Sequence, residues 1–142
     1  MIMTKKYEII LKYVQDLSVE IPNTETFIFS REYITRYILG INISSKTVKN
    51  KMVEIVTKLT YRDPSENKKK SHFEISLATV VKLLDEKIEK IELEKILLCD
   101  VQKDIYPELE RTLIRLIKDC GFPELKLEKK IDFDHLYKKR TN

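Results

Sequence analysis

The sequence predicts an α+β domain: a four-stranded antiparallel sheet followed by two or three helices. Three observations carry that prediction. The first half of the chain alternates apolar and polar residues with period two. After Leu84 the apolar residues recur at helical spacing instead. Polar, turn-forming stretches separate the alternating runs. Strands first and helices afterwards define the α+β class, and 142 residues suit one domain spanning positions 1–142.

The first strand is expected over residues 7–21. Leu17, Val19 and Ile21 alternate with Asp16, Ser18 and Glu20, and Ile9, Leu11 and Tyr13 extend the apolar parity upstream. Pro22-Asn23 ends it, because proline donates nothing to a ladder and asparagine favours turns. Tyr37, Leu39, Ile41 and Ile43 mark the second strand, and Val53, Ile55, Leu59 and Tyr61 the third. Phe73, Ile75, Leu77, Val81 and Leu83 mark the fourth, after a polar hairpin loop over residues 63–71. Consecutive strands so linked suggest an antiparallel meander. Ile88, Ile91, Leu93, Ile96 and Leu97 then give a short helix ending near Cys99-Asp100. A longer helix carries the stripe Ile105, Leu109, Leu113, Leu116, Ile117 and Cys120, with Pro107 in its first turn and Gly121 as a left-handed cap. Asp132 caps a terminal helix over residues 132–137.

Composition excludes several functions. There are 27 Lys and Arg against 23 Asp and Glu, a net charge of +4, and 42% of residues are hydrophobic, enough to build a core. No apolar run approaches the roughly 20 residues of a membrane span, and the N-terminus lacks the apolar stretch of a cleaved signal. A cytoplasmic protein without membrane insertion is expected. Neither glycine-rich phosphate motif is present, so no nucleotide cofactor is expected. His72 and His135 stand apart from each other and from the cysteines, so no metal site is expected. Cys99 and Cys120 read as small buried hydrophobes, and no serine lies in a nucleophile elbow. Asp16 and Glu20 share a strand face but no enclosed cleft, which disfavours acid–base catalysis. The protein is not expected to be an enzyme. Lys68–Lys70 and the run from Lys138 to Arg140 read as solvated charge, with a small basic RNA-binding domain as the rival reading.

The segment from Pro22 to Ile38 is the most informative. Phe27, Phe29, Tyr33 and Tyr37 recur through a stretch with no strong strand or helix signal. Either these rings fold back onto the core, or they line a groove whose floor is Leu39, Ile41 and Ile43. Such a groove would take extended apolar polypeptide. Adjacent apolar residues in strands two to four (Ile38-Leu39, Val80-Val81, Leu83-Leu84) also leave a sheet face that the short helices do not cover, so a homo-oligomer is expected.

Two segments resemble the SecB preprotein-export chaperones. One is Tyr13-Val14-Gln15-Asp16-Leu17-Ser18-Val19-Glu20-Ile21-Pro22-Asn23, which is similar to the family's aromatic, Asp-[Ile/Leu]-Ser-Phe-Glu and Pro-Asn pattern. The other comprises Ile105-Tyr106-Pro107, Gly121-Phe122-Pro123-Glu124-Leu125-Lys126-Leu127 and Phe133-Asp134-His135-Leu136-Tyr137. The resemblance implies an ATP-independent holding chaperone, a homotetramer built as a dimer of dimers. It would bind unfolded precursor proteins and deliver them to the SecA motor, with Asp16 and Glu20 at the family's docking positions for SecA. A SecB-like chaperone dedicated to one client, such as an antitoxin, is the alternative within the same fold. The family is usually acidic, whereas this chain is +4.

Overall fold

The computed structural model describes residues 6–64, 71–85, 87–127 and 131–141. The expected four strands are present: β1 (Tyr7–Glu20), β2 (Ile38–Val48), β3 (Met52–Arg62) and β4 (His72–Leu83). All pair antiparallel, in the spatial order β1-β4-β3-β2. Only β2, β3 and β4 form the expected meander. β1 lies beside β4, from Tyr7 opposite Leu83 to Glu20 opposite His72, which gives a Greek-key order. The segment between β1 and β2 holds a helix of its own, so it is long enough to carry the chain across the sheet. Residues 65–70 of the expected hairpin loop, including Lys68–Lys70, lie outside the described residues.

One face of the sheet is the floor of the core. Ile55 and Leu59 of β3, with Phe73, Ile75 and Val81 of β4, are fully buried there. The covering helix, α3 (Val101–Asp119), supplies Ile105, Leu109, Leu113 and Ile117, the stripe expected from the sequence. Each such side chain contributes about 1.5–3 kcal/mol through burial. Gly121 takes φ 107° just past the helix, the left-handed cap anticipated for it.

The two helices expected before and after residue 100 are one continuous helical path. α2 (Lys90–Lys95) passes through a π-helical turn (Ile96–Asp100) directly into α3, so Pro107 lies inside the helix rather than in its first turn. The junction is held by burial. Ile96, Leu97, Cys99 and Val101 are enclosed, and buried Gln102 accepts from Thr57 Oγ1 (3.0 Å) while its Nε2 donates to the Leu97 carbonyl (3.3 Å). A hydrophobic pattern gives no sign of a buried glutamine, and that is why the junction reads as a break. The last helix, α4 (Phe133–Thr141), runs further than expected, with the Asp132 carboxylate accepting from His135 N at 3.1 Å as its cap.

β1 departs from simple alternation. Register shifts between Ile9 and Leu11, and again between Val14 and Asp16, each insert one residue opposite β4. Ile9, Leu17 and Val19 therefore pair with Val81, Ile75 and Phe73 on the core face. Leu11 and Tyr13, expected on that face, pair with Val80 and Ala78 on the opposite one. Ile10, Leu11, Tyr13, Val14 and Leu17 are each 44–50% exposed, so the uncovered apolar surface is concentrated on this edge strand. Ile38 and Leu84 are exposed as anticipated.

Truncating the centre of α3 should be costly, and truncating an exposed residue should not. Leu113→Ala is expected to lose about 2–5 kcal/mol in denaturant unfolding, whereas Ile91→Ala, at a side chain 71% exposed, should stay within about 0.5 kcal/mol of the parent.

Candidate functional site

The segment between β1 and β2 was expected to be irregular, yet it forms α1 (Thr24–Tyr33) and a 3₁₀ turn (Ile34–Arg36). Asn23 caps α1 by accepting from Thr26 N at 2.8 Å, and Glu25 lies in the first turn. The buried stripe is Thr26, Ser30 and Ile34, spaced by four. Two of its three members are small and polar, so an apolar pattern cannot reveal it. Asn23 ahead of an acidic first turn was the available signal.

The aromatic residues divide by task. Phe27 packs on Phe122 (centroids 4.9 Å apart), which meets Phe73 edge-on at 5.5 Å. That stack fastens α1 to the end of α3, and a Cβ at Gly121 would come within 3.3 Å of the Phe27 ring. Phe29 and Tyr33 lie against each other at 4.7 Å, and the Arg36 guanidinium sits 5.3 Å from the Tyr33 centroid. Tyr37 is buried against Tyr61 (5.5 Å), donates to Ser30 Oγ (3.0 Å) and accepts from Ser71 Oγ (2.8 Å). Tyr61 in turn donates to the Ile34 carbonyl at 2.6 Å. Burial, reinforced by Tyr37, pushes the Tyr61 phenol up to about 12. These bonds lock the 3₁₀ turn onto β3 and β2.

Beside that lock opens a cleft of about 730 Å³, with walls formed by Tyr37, Leu39 and Tyr61 on one side and Leu125, Leu127 and Ile131 on the other. A smaller one of about 170 Å³ lies between Ile41 and Ile43 of β2, Leu98, and Leu136 and Tyr137 of α4. Of the residues expected to line one groove, Tyr37 and Leu39 reach the larger cleft, Ile41 and Ile43 the smaller. Phe27, Phe29 and Tyr33 line neither. Tyr61, Leu125, Leu127 and Ile131 were not anticipated as lining. The alternation of Leu125 and Leu127 after Pro123 was the clue, since an extended segment turns alternate side chains the same way.

Asp16 and Glu20 project from the sheet face opposite the helices, both exposed. Glu20 lies across from His72 and Asp16 across from Ser76. On the same face Glu74 is paired with Lys58 (3.2 Å) and lies 3.5 Å from His72 Nε2. Cys99 is buried, and its thiol donates to Asp134 Oδ1 (3.0 Å), whose carboxylate also receives Lys103 Nζ (2.9 Å). Burial first, then the Asp134 bond, pushes the Cys99 thiol up to about 11, so it is protonated near neutrality and unsuited to nucleophilic attack. The group thereby ties α4 to the π-helical turn.

A four-stranded antiparallel sheet backed by helices is the fold of a SecB-like chaperone. A solved SecB-like chaperone of Mycobacterium tuberculosis, in complex with a peptide from an antitoxin, shares this fold with a TM-score of 0.67 and 13% identity, covering 89% of this chain and 88% of that one. The sequence model of preprotein translocase subunit SecB matches residues 3–142. A protein of Pelagibacter ubique (strain HTCC1062) that carries the protein-export SecB name is 50% identical over 141 residues, covering 99% of this chain and 100% of the relative. The protein-export protein SecB of Bradyrhizobium diazoefficiens is 22% identical over 130 residues, covering 92% and 79%. The chain belongs to the SecB family of protein-export chaperones.

The Tyr61 phenol makes stability depend on alkaline pH. Its folded value lies above the ordinary 10.0, so its contribution is complete below pH 10 and is lost as pH rises towards about 12. Tyr61→Phe should flatten this part of a stability–pH curve measured by urea unfolding, while costing about 1 kcal/mol at neutral pH for the lost bond.

Proposed function

We propose that this protein is an ATP-independent holding chaperone that takes apolar segments of unfolded precursor proteins into the cleft between the 3₁₀ turn and the side chains of Leu125, Leu127 and Ile131. The single observation that carries this reading is that open cleft, walled by apolar side chains and bounded by backbone of both a strand end and an extended segment. Family membership and the antitoxin peptide held by the solved SecB-like neighbour support it. Each anchoring side chain contributes about 1.5–3 kcal/mol against roughly 2–5 kcal/mol for ordering the bound chain. A few anchors therefore suffice, and they select for apolar character rather than sequence. Preferential binding of the unfolded chain slows net folding by mass action and needs no nucleotide.

Delivery completes the reading. The half-exposed apolar side chains of β1 support assembly into a cytoplasmic homotetramer, a dimer of dimers. Asp16 and Glu20 stand exposed on the opposite sheet face, available to dock SecA while the cleft is occupied.

Leu39→Ser with Leu127→Ser is expected to weaken binding of a denatured precursor about tenfold or more in titration calorimetry, while Ile28→Ser, at a site that lines neither cleft, leaves it unchanged. Unaltered binding in the double variant would refute the cleft assignment. Asp16→Lys should lower affinity for SecA with client binding intact; a full-strength SecA complex would remove the docking acids from the proposal.

A further inference from the structure

The helical path from α2 to α3 contains one turn that an unbroken α-helix would not have. Across the π-helical turn the Val101 N–H reaches back to the Ile96 carbonyl rather than to that of Leu97, its α-helical partner. The Leu97 carbonyl is met by the Gln102 side chain, whose Nε2 donates at 3.3 Å, while its Oε1 accepts from Thr57 Oγ1 of β3 at 3.0 Å. Thr57 and Gln102 are both fully buried. A buried carboxamide is costly unless each end has a partner. Here one end is bonded to the sheet and the other to the wide turn. At the far side of the turn the Tyr7 hydroxyl of β1 donates to the Asp100 carbonyl at 3.2 Å.

α4 rests on both sides of this turn. Before and within it lie the Ile91 carbonyl, which accepts from the Tyr137 hydroxyl (3.3 Å), and the Cys99 thiol, which donates to Asp134. Leu98, also within the turn, shares the smaller cleft with Leu136 and Tyr137. After the turn lie Lys103, paired with Asp134 at 2.9 Å, and the Tyr106 ring, edge-on to Phe133 at 5.3 Å. A π turn spans about one residue more than an α turn, and each helical residue turns the face by about 100°. The two sets of partners therefore face α4 together only while the turn stays wide. We infer that Gln102, positioned by Thr57, is the latch of the C-terminal helix: its amide fills the place that the Val101 N–H would take on Leu97, and so keeps the seat of α4 in register. Ile41 and Ile43 follow Leu39 by twos along β2 and stand across the smaller cleft from α4. Releasing the latch bares an apolar strip that continues from the main cleft. The inference goes beyond the client reading and holds whatever the main cleft binds.

Thr57→Val with Gln102→Met removes both halves of the relay at similar volume, so the urea midpoint should stay close to the parent's. Cys99 reports the turn, because its thiol is buried and bonded to Asp134 in the seated state. Its rate of labelling by iodoacetamide is read by peptide mapping, which separates it from Cys120. In the full-length double variant Cys99 should label about tenfold faster or more. Hydrogen exchange should quicken across α4 but not across α3, and anilinonaphthalene sulfonate should fluoresce more strongly as Leu98, Ile41 and Ile43 are bared. Thr57→Ser keeps the hydroxyl and should label at the parent rate, whereas Thr57→Val alone should label faster. Parent-like labelling and exchange in the folded double variant would overturn the inference. So would equal labelling of Thr57→Val and Thr57→Ser, a comparison that decides the matter even where the double variant does not fold. Faster labelling that merely follows the urea midpoint, with α3 exchanging as fast as α4, would report global opening and overturn it too.

Discussion

Everything in this molecule depends on burying one face of a four-stranded sheet under a single helix. The apolar stripe of α3 meets the central strands β3 and β4, and the side chains at that contact are fully enclosed. A sheet covered on one side only is economical for a chain of this length, but it leaves the other face and one edge in water. Those uncovered parts are what a family of binding proteins has to work with.

How β1 meets this constraint is specific. Two bulges rotate its middle relative to its ends, so apolar residues appear on both faces of an edge strand. Leu11 and Tyr13 turn outward while Ile9 and Val19 still pack against the core. Asp16 and Glu20 remain on the open face, paired across from Ser76 and His72 on β4. One strand thus carries both the greasy edge and the exposed acids, and the bulges let it do so without a change of direction.

The cleft is a by-product of how α1 and the chain after α3 are fastened. Phe27, Phe122 and Phe73 form a stack that brings α1 to the end of α3. The Tyr37 and Tyr61 hydroxyls lock the 3₁₀ turn against the sheet. Between these fastenings Leu125, Leu127 and Ile131 stand across a cleft from Tyr37, Leu39 and Tyr61. Aromatic residues that look like lining from their order in the chain are mostly the clamps that hold the lining in place.

Much of this was legible in the amino-acid order, and what was legible has a common physical cause. Strand runs, the α3 stripe, the Gly121 cap and the Asp132 cap are local: each follows from side-chain periodicity or from the geometry of a single turn. Membership of the SecB family was readable for the same reason, because its motifs are short and contiguous. Tertiary structure alone decided that β1 would sit beside β4, that bulges would reverse part of its facing, and that Gln102 would be buried to join α2 to α3. It also decided which aromatic residues reach the cleft. Those outcomes turn on pairings between residues far apart in the chain, where burial against a particular neighbour outweighs local preference.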